Sequence, residues 1–89
     1  PYAESFPRVK EIISAALSDV PKILGEPQTE IGIHNFDSHN VELIVRPYVL
    51  PDDYWEVTFS ANKAIKKAFS ENDIKVAYSE GIEIGQIGD

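Results

Sequence analysis

Apolar and polar residues alternate at the centre of the chain, over residues 40–49. From Val41 to Val45 every second residue is a branched aliphatic one, and this period of two places them on the core-facing side of a strand. Pro51 ends the extended run, and the two aspartates after it suit the positive end of a helix. The pattern therefore predicts a strand over 40–49 that leads directly into a helix over about 52–71.

The opposite face of this strand is also partly apolar, since it carries Ile44 and Tyr48. Two apolar faces are typical of an interior strand. Arg46 shares this second face, and its charge needs either an acidic partner or a position at the rim of the sheet.

Another apolar pattern, with helical spacing, begins near the start of the chain. Apolar residues recur at steps of three and four, which predicts a helix over about 6–19. Ser5 suits the N-cap and Pro7 the first turn, whereas Pro21 stops the helix. The stripe consists of Val9, Ile12, Ile13, Ala16, Leu17 and Val20.

A further strand is predicted over about 29–36, with Ile31 and Ile33 on one face and Phe36 on the other. The short link at 37–40 consists of turn-forming residues. So short a connection predicts an antiparallel hairpin with the central strand.

The helix over about 52–71 has its own apolar stripe, and its lysines lie on the other side. We interpret Lys63, Lys66 and Lys67 as a solvated face. The stripe consists of Tyr54, Val57, Ala61, Ala64, Ile65 and Ala68, with Trp55, Phe59 and Phe69 on its flank.

An extended segment is predicted after this helix, beginning at Ile74, Val76 and Tyr78. The alternation resumes at Ile82 and Ile84 and is expected to end at the following glycine. The element order is thus helix, strand, strand, helix, strand. It predicts an α+β fold: a ferredoxin-like two-layer sandwich in one domain, residues 1–89, with both helices on one face of an antiparallel sheet and the first strand absent.

Composition limits the functions that this chain can have. Its 89 residues suffice for one compact core, and 43% apolar residues argue against disorder. Without cysteine there is no disulfide, thiolate nucleophile or Cys-ligated zinc. The net charge of −7 argues against binding nucleic acid or anionic membranes. No apolar run could span a bilayer, and the missing start methionine suggests a soluble piece of a larger protein.

No catalytic, cofactor or metal site emerges from the residue pattern. His34, Asp37 and His39 could ligate a metal, but ordinary surface histidines explain them more simply. The acidic pairs Asp52–Asp53 and Glu71/Asp73 suit helix ends better than acid/base catalysis. No nucleophile elbow or phosphate-binding glycine loop is present. We therefore do not expect an enzyme.

Four aromatic residues cluster at the corner between the central strand and the second helix: Tyr48, Tyr54, Trp55 and Phe59. One small core need not cover all of them, and exposed aromatic patches mark contacts with partners. This cluster is the candidate subunit contact; the alternative is that the rings only cap the core.

The order of these motifs resembles a known family. The helix followed by ILGEP, the strand with V-x-L-x-V-R-x-Y and the DYW that opens the second helix are similar to the C-terminal cytoplasmic α/β domain of the small-conductance mechanosensitive channel (MscS) family. The resemblance covers nearly the whole chain. It departs after the second helix, where 76–80 replace a proline-rich stretch, so the path of the last segment is not defined by it.

This resemblance implies a piece of an integral channel of the bacterial inner membrane. Such channels are homo-heptamers that open under membrane tension and release solutes after hypo-osmotic shock. The chain would form part of the wall of their cytoplasmic cage, tied to the membrane only through upstream segments. In isolation, a sheet that lacks a strand could pair or swap strands in a dimer. The alternative function is a stand-alone ferredoxin-like regulatory or ligand-binding module.

Overall fold

The computed structural model of the chain describes residues 5–36, 41–74 and 85–86. The element order agrees with the sequence prediction, except that one predicted strand is divided in two. The elements are helix α1 (Phe6–Leu17), strands β1 (Glu30–Phe36), β2 (Val41–Arg46) and β3 (Tyr48–Val49), a 3-10 turn (Pro51–Asp53), helix α2 (Tyr54–Glu71) and strand β4 (Gly85–Gln86).

Helix α1 begins as its sequence predicts. The hydroxyl of Ser5 accepts a hydrogen bond from the backbone N–H of Arg8 at 3.3 Å, and Pro7 lies in the first turn. The helix ends at Leu17, two residues earlier than predicted. The following residues form a turn in which the N–H of Val20 bonds the carbonyl of Leu17 at 3.0 Å, because Pro21 disfavours further helix.

Strands β1 and β2 form the predicted antiparallel hairpin, with Ile31 opposite Val45 and Ile33 opposite Leu43. The register shifts between Ile33 and Asn35. A β-bulge of this kind adds one residue to one strand and interrupts its period of two. The simple alternation predicted for 29–36 therefore does not run through to the end of β1.

The single strand predicted over 40–49 is wrong in one respect, because Pro47 divides it into β2 and β3. Proline has no backbone N–H to donate to a sheet. The core face nevertheless continues across the break, since Val45, Pro47 and Val49 are all buried. The carbonyl of Tyr48 in β3 accepts a hydrogen bond from the N–H of Leu24 at 2.8 Å.

The predicted helix over 52–71 opens as a 3-10 turn at Pro51 and becomes α-helical at Tyr54. It ends with Asn72 as the C-cap. Asp73 follows with φ of 57°, a left-handed conformation that commonly terminates helices.

Both helices pack on the same side of the hairpin. Ile31 and Leu43 share the face of Val45, and that face packs against the buried residues of α1 and α2. This arrangement confirms the α+β, two-layer prediction. The buried core consists of Val9, Ile13, Leu17, Val20, Val45, Val49, Val57, Ala61, Ile65, Phe69 and Ile74.

The two helices run antiparallel. Arg8, in the first turn of α1, donates a hydrogen bond from Nη2 to the carbonyl oxygen of Asn72 at the end of α2, at 3.2 Å. This contact brings the start of one helix to the end of the other.

Strand β4 differs from the prediction for the last segment. Gly85 and Gln86 pair in parallel with Tyr48 and Val49, although the alternation was expected to end at Gly85. A parallel pair is possible here because α2 provides the long connection that parallel strands need. The predicted extended residues Val76, Tyr78, Ile82 and Ile84 lie outside the described residues.

Candidate subunit interface

Helix α2 exposes two large aromatic side chains, Trp55 and Phe59, with 69% and 73% of their surface accessible. They are four residues apart and therefore lie on the same side of the helix. Leu50, just before the 3-10 turn, is 50% exposed. Leu50 is not among the residues predicted from the sequence, although its place between a strand and a proline is a signal for exposure.

The other two members of the predicted cluster are half-buried. Tyr54 packs against the core, and its ring meets that of Trp55 edge-to-face, with centroids 5.0 Å apart and planes at 87°. Tyr48 makes no ring contact with the other three among the described residues. The cluster is thus divided: Tyr54 supports Trp55 from the core side, and Trp55 and Phe59 face outward.

A lysine holds the segment after α1 against the start of α2. Lys22 Nζ donates a hydrogen bond to Glu56 Oε1 at 2.9 Å and lies 3.8 Å from Asp53 Oδ1. The hydrogen bond to Glu56 and the charges of Glu56 and Asp53 raise the pKa of Lys22 above its usual value. Asp53 is therefore a charge partner of Lys22, two residues before the exposed Trp55 in the sequence.

The acidic pairs occupy helix ends, as the sequence predicts. Asp52 and Asp53 lie in the first turn that leads into α2. Glu71 is the last residue of α2, and Asp73 follows its C-cap. Carboxylates are favourable only at the N-terminal end, so the second pair gains nothing from the helix dipole.

The lysines of α2 are exposed, as the sequence predicts. Lys63, Lys66 and Lys67 all belong to the solvent-facing side of the helix. On another side, α2 and α1 border an open groove. Its lining consists of Glu11, Ile12, Ala15, Ala16, Ala68, Glu71 and Asn72.

Among the described residues, no three His, Asp or Glu side chains are placed to hold a metal ion. Of the metal candidates in the sequence, Asp37 and His39 lie outside the described residues, and for His34 only the backbone in β1 is described. No helix in the described part of the chain is both long and apolar enough to cross a bilayer.

Comparison with known proteins identifies the family. The sequence model described as "Mechanosensitive ion channel MscS, C-terminal" matches residues 1–76. The chain belongs to the MscS family. The match ends at residue 76, five residues after the end of α2.

The chain is also similar to a curated relative, an uncharacterised MscS family protein of Synechocystis sp.. The two are 23% identical over 79 residues, which is 89% of this chain and 27% of the relative. The chain thus spans about a quarter of the length of that protein. No solved structure matches the chain.

Proposed function

We propose that this chain is a cytoplasmic cage and assembly domain of a mechanosensitive channel of the bacterial inner membrane. The observation that carries the proposal is the family match over residues 1–76. The channel would be a homo-heptamer that opens under membrane tension and releases solutes on hypo-osmotic shock. The chain itself would form part of the cage wall and would contribute no residues to the gate of the channel.

The exposed aromatic residues support a role in assembly. Trp55 and Phe59 leave most of their surface accessible in the single chain. Aromatic residues are enriched at protein interfaces, and they often dominate the binding energy. We assign Trp55 and Phe59 to the contact with a neighbouring subunit, with the ring of Tyr54 packed against Trp55 from the core side. Tyr48, the fourth residue of the predicted cluster, is half-buried and has no ring contact with them among the described residues.

The proposal is tested with the full-length protein in bacteria that lack their own mechanosensitive channels. We expect it to raise survival after hypo-osmotic shock and to give tension-activated currents in membrane patches. Native mass spectrometry of the purified protein should give seven copies. A full-length protein without tension-activated current and without oligomers would favour the stand-alone module instead.

The aromatic contact is tested separately, by comparing two variants of the full-length protein. Trp55→Ser with Phe59→Ser should lower the oligomer fraction of the full-length protein. Ile33→Ser, at a position 43% exposed on the hairpin, is the matched control and should leave it unchanged. Equal oligomer fractions for both variants would contradict the assignment of Trp55 and Phe59 to the interface.

A further inference from the structure

The outward side of α2 combines aromatic and basic residues. We call it the aromatic–lysine stripe; it consists of Trp55, Phe59, Lys63, Lys66 and Lys67, all of them exposed. Phe59 and Lys63 are one turn apart. Lys63 and Lys67 make no ion pair with another described residue. This basic surface lies on a chain whose net charge is −7.

The groove between α1 and α2 has the opposite charge. Its centre is apolar, since it is built from Ile12 and three alanines, and Glu11 and Glu71 flank it. Neither glutamate makes an ion pair with another described residue. Arg8 lies near one end of the groove, where its guanidinium bonds the carbonyl of Asn72.

The stripe and the groove match in the spacing of their groups. In the stripe, Lys63 follows Phe59 by four residues; in the groove, Glu11 precedes Ala15 by four and Glu71 follows Ala68 by three. Each surface therefore has an apolar centre with a charge about one helical turn away. A ring placed over the alanines would bring a lysine within reach of a glutamate.

The aromatic part of the stripe cannot reach the groove of the same molecule. Phe59 and Ala68 are nine residues apart in α2, which is about two and a half turns, so they lie on opposite sides of the helix. Contact between two stripes across a two-fold axis would oppose lysine to lysine, which is unfavourable.

We propose that the aromatic–lysine stripe of one copy docks into the α1/α2 groove of the next copy, with Phe59 over the alanines and the lysines against Glu11 and Glu71. The contact joins two different surfaces, and repeated contacts of this kind close into a ring when the rotation allows. This inference rests on the proposed assembly function, and it names the surface that the aromatic residues meet.

Charge reversal in the full-length protein tests the pairing. Lys63→Glu, or Glu11→Lys, should each weaken assembly on the order of tenfold. Lys67 and Glu71 are left unchanged because they are one turn apart in the same helix, where reversal would also act within one chain. Both reversals in one chain should restore it, because opposite charges face each other again. Glu42→Lys, on the exposed surface of the hairpin, is the matched control and should not restore assembly of the lysine variant.

Cross-linking tests the geometry independently. Phe59→Cys with Ala15→Cys in the same full-length chain should give a ladder of disulfide-linked copies under oxidation. Phe59→Cys with Glu30→Cys is the control and should give none above the unmodified background. If the protein forms rings but shows neither charge rescue nor the ladder, the docking is overturned and the assembly function stands. If it forms no oligomer at all, the assembly function fails first.

Discussion

Arg46 Nη1 donates a hydrogen bond to Glu30 Oε1 at 3.0 Å, and the two residues are directly opposite in the hairpin. Glu30 is therefore the acidic partner that Arg46 requires because of its position in an apolar strand. Cross-strand pairs of opposite charge stabilise a hairpin modestly.

A double-mutant cycle measures this cross-strand pair. With Glu30→Gln and Arg46→Met, we expect a coupling of about 0.2–1 kcal/mol in urea unfolding, decreasing as salt is added. The cycle of Glu26→Gln with Arg46→Met is the control and should be additive. Equal coupling in both cycles would mean that the hydrogen bond contributes nothing specific.

Replacing the N-cap of α1 should destabilise the chain. Ser5→Ala removes the acceptor of the Arg8 N–H and should cost about 0.5–2 kcal/mol in the free energy of unfolding. Ser14→Ala, at an exposed position within α1, is the matched control and should be neutral or slightly stabilising, because alanine is the better helix former. An equal loss in both variants would contradict the capping role.

Glycine at position 73 should stabilise the chain. Asp73 has a positive φ and a negative charge at the C-terminal end of α2, and both are unfavourable there. Asp73→Gly should add about 1 kcal/mol to the free energy of unfolding, because glycine adopts the left-handed conformation without this cost. Asp52→Gly, in the first turn at the other end, should instead lower the free energy of unfolding. Chemical denaturation of both variants measures these two changes in the free energy of unfolding.

The contribution of Lys22 should depend on pH in a defined direction. Its pKa is raised in the folded state, so its stabilising effect is fully present below the ordinary lysine pKa and is lost as the pH rises through the folded value. The stability difference between the wild type and Lys22→Gln should therefore be constant near neutrality and shrink in strong alkali. A constant Lys22 difference up to the alkaline end would refute the ion pair.

In the channel proposed above, the acidic surface should influence which ions approach the assembly. Glu26 and Glu42 are exposed, and a ring of copies with net charge −7 would concentrate cations at low salt, where screening extends roughly 30 Å at 0.01 M. Neutralising them to glutamine in the full-length protein should shift the reversal potential towards anions. Glu30 also belongs to this acidic surface, but Glu30→Gln would in addition remove the hydrogen-bond partner of Arg46. An unchanged reversal potential would show that these carboxylates do not determine which ions pass.

The sequence was sufficient to predict the helices and the hairpin. The apolar stripe of α1 is buried at Val9, Ile13 and Leu17, because a helix with one apolar side has only one way to cover it. The short link at 37–40 left the two strands no other partner. These features depend on contacts close in sequence.

Features that depend on distant residues could not be predicted. Lys22 and Glu56 are 34 residues apart, and no local pattern relates them. The opposite burial of the neighbours Tyr54 and Trp55 depends on how α2 is rotated against the hairpin. The parallel pairing of β4 joins residues that are separated in the sequence by the whole of α2.

That parallel pairing has a topological consequence. Among the described residues, Gly85 and Gln86 pair with Tyr48 and Val49 of β3, immediately before the chain turns into α2. The strand that precedes α2 and the strand that follows it therefore lie side by side, and the chain between them forms a closed loop that contains the helix with the exposed rings.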